Sequence, residues 1–312
     1  MFKKILFLSA LFGMNGTPVS AQNVPQTDNP LALSSTHLVP SSYQLNALDA
    51  PALANFYVEK IGLTLIEEVD GVFRLGTPDQ TVLLEIFPTD VARETNTTGL
   101  YHTAFLLENR EHVLRALKSL LKSSTLMQGS SDHAVSEALY LLDPEGNGIE
   151  IYADRPREQW TYDENGYVQM GNAPFDAQGV LQLKEPYEGL TNQSKIGHFH
   201  LSVNTLADTQ TFYHDLLGLG VTAPEWDGGA LFLATDFYHH HLGTNVWMGE
   251  ELPAPTPDQQ GIRAVVWQTN VESDLETIQA NLTAANIDFT YQDNTLEVVD
   301  NSGILLMIKF IP

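Results

Sequence analysis

A fourfold repeat limits what this chain can fold into more than any other feature of it. The stretch LDAPALANFYVEKIGLTLIEE (48–68) parallels VNTLADTQTFYHDLLGLGVTA (203–223): each follows a strand, forms an amphipathic helix carrying Phe-Tyr, and passes through a turn of Leu and Gly into another strand. Short strands follow both, VFRLGT and TVLLEIF in the first copy, ALFLAT and HHHLGTNVW in the second. Two further units open at GLYHTAFLLENREHVLRALKSLL (99–121) and GIRAVVWQTNVESDLETIQANLTAANI (261–287) and close in strands at 138–152 and 295–310. Such a unit cannot bury its apolar face alone, so copies must pack on one another. The pattern predicts an α+β protein of four βαβββ modules in pairs. By order along the chain, 38–158 is the first pair, 159–194 a polar and aromatic connector, and 195–312 the second pair.

The N-terminus has the order of an export signal. Lys3 and Lys4 precede the apolar run 5–14, and small residues end at Val19-Ser20-Ala21. The expectation is a signal peptide over 1–21, a periplasmic or secreted location, and a flexible leader over 22–37 rich in Pro, Asn, Thr and Ser. No later segment is apolar enough to span a bilayer. The net charge of −24 argues against nucleic acid or an anionic membrane as partner. With no cysteine in the chain, any metal site must be built from histidine and carboxylate.

Residues 133–150, HAVSEALYLLDPEGNGIE, carry the strongest local signal. Tyr140 and Leu142 read as one face of a strand, DPEGNG (143–148) as the reversal, and 149–152 as the returning strand. Alternation puts Glu150 and Tyr152 on one face. A carboxylate among core-like neighbours needs a partner, because an unpaired buried charge is expensive. A metal ion would serve, and ten histidines are present to complete its shell. The plain alternative is a hairpin with an exposed glutamate.

Repeat and motifs together resemble the vicinal oxygen chelate superfamily, which includes glyoxalase I, fosfomycin-resistance proteins and extradiol ring-cleaving dioxygenases. The resemblance implies paired cupped mixed sheets around a divalent metal. Within it, His133, Leu139-Tyr140, Asp143-Pro144, Gly146 and Glu150 follow the order of the extradiol signature, with Ser131 as a departure where Gly is commoner. The ADRPR segment (153–157) and the module count are similar to catechol 2,3-dioxygenases. The resemblance assigns His102 in GLYHTAF, Glu150, and His198 in IGHFHLSV as metal ligands. It makes His241 of YHHHLGTNVW the acid–base, with Tyr140 and His133 around the substrate, and Trp247 and Asn245 lining the pocket. The usual order of ligand-bearing units is reversed here, so the site would form between the second and third units.

Other ligand sets are open to the same residues. Glu85 stands on a strand where glyoxalase I keeps a ligand, but Ser42 replaces its histidine partner, while Ala264 and Met307 leave the fourth unit without donors. His200 shares a strand face with His198 and competes with it. His37, His112 and His214 read as surface residues. The implied activity is extradiol cleavage of a catechol by O2, with iron(II) as cofactor, or manganese(II) or another divalent ion in its place. The implied partners are a small aromatic diol and O2, and a homo-oligomer is compatible. A glyoxalase-like isomerase or lyase and a non-catalytic small-molecule binder are the alternatives.

Overall fold

The computed structural model describes residues 25–224 and 228–312, so the expected signal peptide lies outside the described residues. Among the described residues, four βαβββ units follow one another. The first is β1 (Val39–Ala47), α1 (Ala50–Phe56), β2 (Thr64–Val69), β3 (Val72–Gly76) and β4 (Val82–Pro88). The second is β5 (Gly99–Leu106), α2 (Arg110–Lys122), β6 (Met127–Asp132), β7 (Ser136–Leu142) and β8 (Gly148–Asp154). The third is β9 (Lys195–Ser202), α3 (Leu206–Gln210), β10 (Gly220–Ala223), β11 (Ala230–Ala234) and β12 (Leu242–Asn245). The fourth is β13 (Gly261–Thr269), α4 (Glu272–Ala284), β14 (Phe289–Gln292), β15 (Thr295–Val299) and β16 (Leu305–Phe310). Three helices start at a polar cap: Asp49, Asn109 and Thr205 accept from the backbone N–H of Ala52, His112 and Asp208.

The units pair across the chain rather than along it. One eight-stranded sheet runs β14-β15-β16-β13-β1-β4-β3-β2, joining the fourth unit to the first; the other runs β10-β11-β12-β9-β5-β8-β7-β6, joining the third to the second. This corrects the grouping of 38–158 and 195–312 as pairs. The centre of each sheet is an antiparallel join of two opening strands, β1 with β13 and β5 with β9, so the first and second units, like the third and fourth, lie in different sheets.

The Phe-Tyr of the repeat ties the two sheets together. Both helices carrying it continue into a π-helical turn, Tyr57–Ile61 and Thr211–Leu216. The Tyr57 hydroxyl donates to Asp143 in the second unit at 3.1 Å, and the Tyr213 hydroxyl to Asp300 in the fourth at 2.8 Å. Each aspartate also organises its own turn. Asp143 accepts from the N–H groups of Glu145 and Asn147, and Asp300 from those of Ser302 and Ile304. The Asp-Pro of the signature therefore belongs to the scaffold that aims Glu150.

Alternation then divides each opening strand. Tyr43, Phe105, Phe199 and Trp267 point into one shared core, with ring contacts of 5.9–6.4 Å, while the intervening residues face the cups.

The expectation of a flexible leader also needs correcting over its described part. Ser35 N–H donates to Gly218, the Thr36 hydroxyl to Leu217, and Ala32 packs under Gly220, so residues 32–36 lie along the third unit, while Thr27 and Asn29 donate to the Asn165 carbonyl of the connector. Polar composition reads as loose chain, but these side chains and amides find partners. His37 is exposed as expected, beside Asp274.

Candidate functional site

In the second unit, the parallel join of β5 and β8 sets Ala104 opposite Glu150, which puts His102, two residues earlier, on the same face. The antiparallel join of β5 and β9 sets Ala104 opposite His198 and His102 opposite His200. Three donors thereby converge. His102 Nε2 lies 3.0 Å and His198 Nε2 3.1 Å from Glu150 Oε2, and the two Nε2 atoms are 3.4 Å apart. The three residues are 6%, 1% and 2% exposed for His102, His198 and Glu150.

The donor chemistry fits a metal ion. Two imidazole nitrogens this close cannot both carry a proton towards one carboxylate oxygen without facing each other's hydrogens, whereas a cation among three lone pairs satisfies all of them. Two imidazoles and one carboxylate make a mixed N/O set suited to a first-row divalent ion. Burial pushes the His198 imidazole down to about 4 despite the pull of Glu150, while the two histidines hold the Glu150 carboxyl well below its usual range against burial. At neutral pH Glu150 is therefore a carboxylate and His198 a neutral imidazole, the forms that ligate.

Register also locates the corner that has no donor. The position in the third unit equivalent to Glu150 lies opposite His200, two residues beyond His198, and it is Gly243. A Cβ there would meet the His200 ring at 3.0 Å, so that ring occupies the space a fourth ligand would need. The protein thus offers three ligands on one side. The other sheet shows the same frame without a centre. Gln44 opposes Glu85 as Ala104 opposes Glu150, with Ser42 at the His102 position, Ala264 at the His198 position, and Val266 opposite Met307. There Glu85 accepts from Gln44 Nε2 at 2.8 Å and Arg74 Nε at 2.9 Å, a guanidinium in the place of a metal.

The triad lies against a cavity of about 680 Å³, a size that suits a small organic ligand. His133 and Tyr140 line it, joined by a 2.7 Å hydrogen bond. His133 Nδ1 faces the Gly171 carbonyl at 2.9 Å, so Nδ1 carries the proton and Nε2 accepts from the tyrosine hydroxyl. Burial, reinforced by Glu150, pushes the Tyr140 phenol well above its usual range and keeps it protonated. The connector supplies Met170 and Asn172 to the wall, so it is part of the site and more than a tether.

The histidine trio departs from expectation. His240 lines the cavity, its ring 4.1 Å from that of His198, whereas His241 stacks on Tyr238 at 4.7 Å and accepts from Thr235 N–H, away from the cavity. Of the three, His240 and not His241 is therefore the one that faces the cavity. Asp236 and Phe237 both have positive φ, so a tight turn sets which histidine faces inward before β12 begins. Behind His240 runs a chain of contacts: its Nδ1 is 2.8 Å from His239 Nδ1, and His239 Nε2 is 2.9 Å from Asp154.

Trp247 lines the cavity as expected, with Tyr101 against it at 5.3 Å. Asn245 instead sits buried beneath, accepting from Trp247 N–H. Tyr101 was not legible beside His102, because strict alternation turns it away; a bulge between Leu100 and His102 brings it back. His200 lines the cavity with its Nε2 unpartnered, but lies outside the triad.

Comparison with known proteins places the chain in a family. The description Glyoxalase/Bleomycin resistance protein/Dioxygenase superfamily matches residues 37–151. Over 250 residues the chain is 36% identical to a Bacillus subtilis (strain 168) protein named catechol-2,3-dioxygenase, covering 78% of this chain and 87% of that one. The chain belongs to the glyoxalase/bleomycin resistance/dioxygenase superfamily. This superfamily's fold recurs in a crystal structure from Bacillus subtilis subsp. subtilis str. 168, with a TM-score of 0.63 at 13% identity over 89% of this chain and 86% of that one. It recurs again in glyoxalase I from Zea mays, with a TM-score of 0.54 at 14% identity over 88% and 92%. The vicinal oxygen chelate expectation holds for both family and fold.

Buried neutral histidines give the metal-free protein a definite acid response. His198, His200, His240 and His241 all have imidazoles lowered by burial, so between about pH 6.5 and the folded values only the unfolded chain binds these protons. Their stabilisation is complete above pH 6.5 and lost as pH falls, with His198 alone contributing about 3 kcal/mol. Asp143 and Asp300, both raised by burial and Asp300 to about 6, act in the opposite sense below pH 6, but four groups oppose two. The urea midpoint of the metal-free protein should fall between pH 7.5 and pH 5; a midpoint that rises would contradict the burial of neutral rings.

Proposed function

We propose that the protein is an extradiol ring-cleaving dioxygenase acting on catechol-type substrates, with iron(II) held by His102, His198 and Glu150. The observation that carries this reading is Gly243 at the fourth ligand position: three donors on one side leave adjacent positions free for a chelating diol and O2 together. A redox-inert Lewis acid in an isomerase needs an opening for its substrate but none for O2, nor a His240, His133 and Tyr140 set around it. The name of the Bacillus subtilis relative supports the same activity.

Bound at the triad, iron(II) supplies Lewis acidity towards the catechol oxygens and an electron path from the ring to O2. The chain's own residues do the rest. Trp247, Tyr101 and Phe232 give the aromatic ring apolar walls and exclude water. His240, a neutral imidazole at working pH, takes a proton from a catechol hydroxyl and returns it later in the turnover. Tyr140 keeps its proton, which it donates to His133 Nε2, so its hydroxyl oxygen is left to accept a hydrogen bond from the substrate. Both atoms of O2 enter the product, a ring-opened semialdehyde cut outside the two hydroxyls. The exported location follows from residues 1–21 alone and belongs to this proposal; mass spectrometry of the mature N-terminus after expression in a Gram-negative host tests it.

Anaerobic loading with iron(II), then addition of catechol and air, should give a yellow product and one O2 consumed per ring cleaved. Absence of both across several catechols with fully ferrous protein would overturn the activity.

A further inference from the structure

We infer that the natural substrate carries a carboxylate, received by Arg93. The inference rests on the catechol reading for the ring and adds the substituent. Acidic residues outnumber basic ones by 39 to 15, so a cation here readily finds a carboxylate. Five of the seven arginines do: Arg74 with Glu85, Arg110 with Glu137, Arg115 with Glu111, Arg155 with Asp132 and Arg157 with Asp236. Arg263 lies over the Phe87 ring at 4.6 Å. Arg93 has no acidic partner among the described residues, and it is the arginine that lines the cavity.

Its placement is built. Nη2 donates to the Asn147 side chain and Nε to the Gln260 carbonyl at 3.4 Å, both neutral acceptors, while Nη1 has no hydrogen bond among the described residues. The guanidinium lies flat against Gly261, where a Cβ would come within 3.0 Å of Nη2. Asn147 lies three residues before Glu150, so Arg93 is anchored at the start of the strand that carries the triad carboxylate. Arg93, Leu100, Ser202 and Met248 also border a second cavity of about 470 Å³, so the cation stands where the two spaces meet.

Glu150 is the one carboxylate among the cavity's lining residues, and it faces the two histidines. A half-buried guanidinium whose hydrogen-bond acceptors are neutral is therefore this cavity's unmatched charge, and a carboxylate on the ligand supplies the match through charge-assisted hydrogen bonds. The overall charge of −24 repels an anion at long range, so this local cation must select one. The occupant that fits is a catechol with an acidic side chain on the ring.

The rival role for Arg93 is a latch that pins its own loop to Asn147 and Gln260. A latch would affect acidic and neutral ligands alike. The test is anaerobic binding of 3,4-dihydroxyphenylacetate and its methyl ester to metal-free protein, read by tryptophan fluorescence, of which Trp247 reports from the cavity wall. The acid should bind at least about 10-fold more tightly than the ester, the contribution of one hydrogen bond to a charged group. Arg93→Gln should abolish that ratio and Arg93→Lys retain part of it. Equal affinities in the unaltered protein, or a ratio that survives Arg93→Gln, would overturn the inference; if the variant does not fold, the acid and ester comparison decides alone. The binding comparison is made without metal or O2. A protein that selects the acid yet cleaves no catechol refutes the dioxygenase and leaves this inference standing. One that cleaves acid and ester with equal kcat/KM does the reverse.

Discussion

His198→Ala protein should fail to hold iron(II) and should lose ring cleavage by at least about 10³-fold. Among the described residues the triad has three donors, and the corner where a fourth would come from is Gly243. Losing a group that merely supports a ligand typically costs about 10–100-fold in metal affinity, so loss of the ligand itself costs more. The nearest substitute is His200, on the same strand face and with an unpartnered Nε2, which makes it the control that matters. His200→Ala should retain a full equivalent of metal, because the Nε2 atoms that meet Glu150 belong to His102 and His198. Metal analysis after gel filtration reads both variants. Retention by His198→Ala with loss by His200→Ala would mean that His200 is the ligand.

Much of this arrangement could be read from the chain because it depends on short-range periodicity. Two-residue alternation fixes that His102 and Ala104, or His198 and His200, share a face, and the DPEGNG reversal fixes where Glu150 emerges. The repeat carried the same frame into units that have lost their donors. The positions of Ser42, Ala264 and Met307, inferred by analogy between copies, coincide with the registers seen in the other sheet. Partnership between units was harder to read. Nothing in the pattern of a βαβββ unit says which copy its opening strand will join, and the long-range contacts of Tyr57 with Asp143 and Tyr213 with Asp300 join units that lie in different sheets. Only the need to unite His198 with Glu150 pointed to the second and third units together. Arg93 and Tyr101 escaped for a related reason. One lies on a loop with no period, and the other is turned by a bulge that breaks it.

The trio 239–241 shows where alternation stops being enough, and it yields the second large effect. His240→Ala should lower kcat by about 10²–10⁴-fold with metal still bound, the range for loss of a positioned acid–base. His241→Ala should instead cost stability, about 1–3 kcal/mol for a half-buried stacked ring, and leave kcat within about threefold. Hydrogen-bond bookkeeping says why the middle residue is suited to the task. The Asp154 carboxylate accepts from His239 Nε2, which leaves His239 Nδ1 as an acceptor, so His240 Nδ1 must be the donor between the two rings. The proton of His240 is thereby placed on the side away from the cavity, and its Nε2 is left as a free base in the resting protein. Asp154→Asn removes the carboxylate that imposes this order and should lower kcat without loss of metal, by less than His240→Ala does. Burial depresses the His240 imidazole, so the acid limb of the kcat/KM profile should lie below pH 6.5 and activity should fall as pH drops through it. That limb should vanish in His240→Gln and persist in His241→Gln. The reverse pattern, with His241 governing rate and pH profile while His240 proves dispensable, would mean that the 235–241 turn presents a different histidine to the substrate.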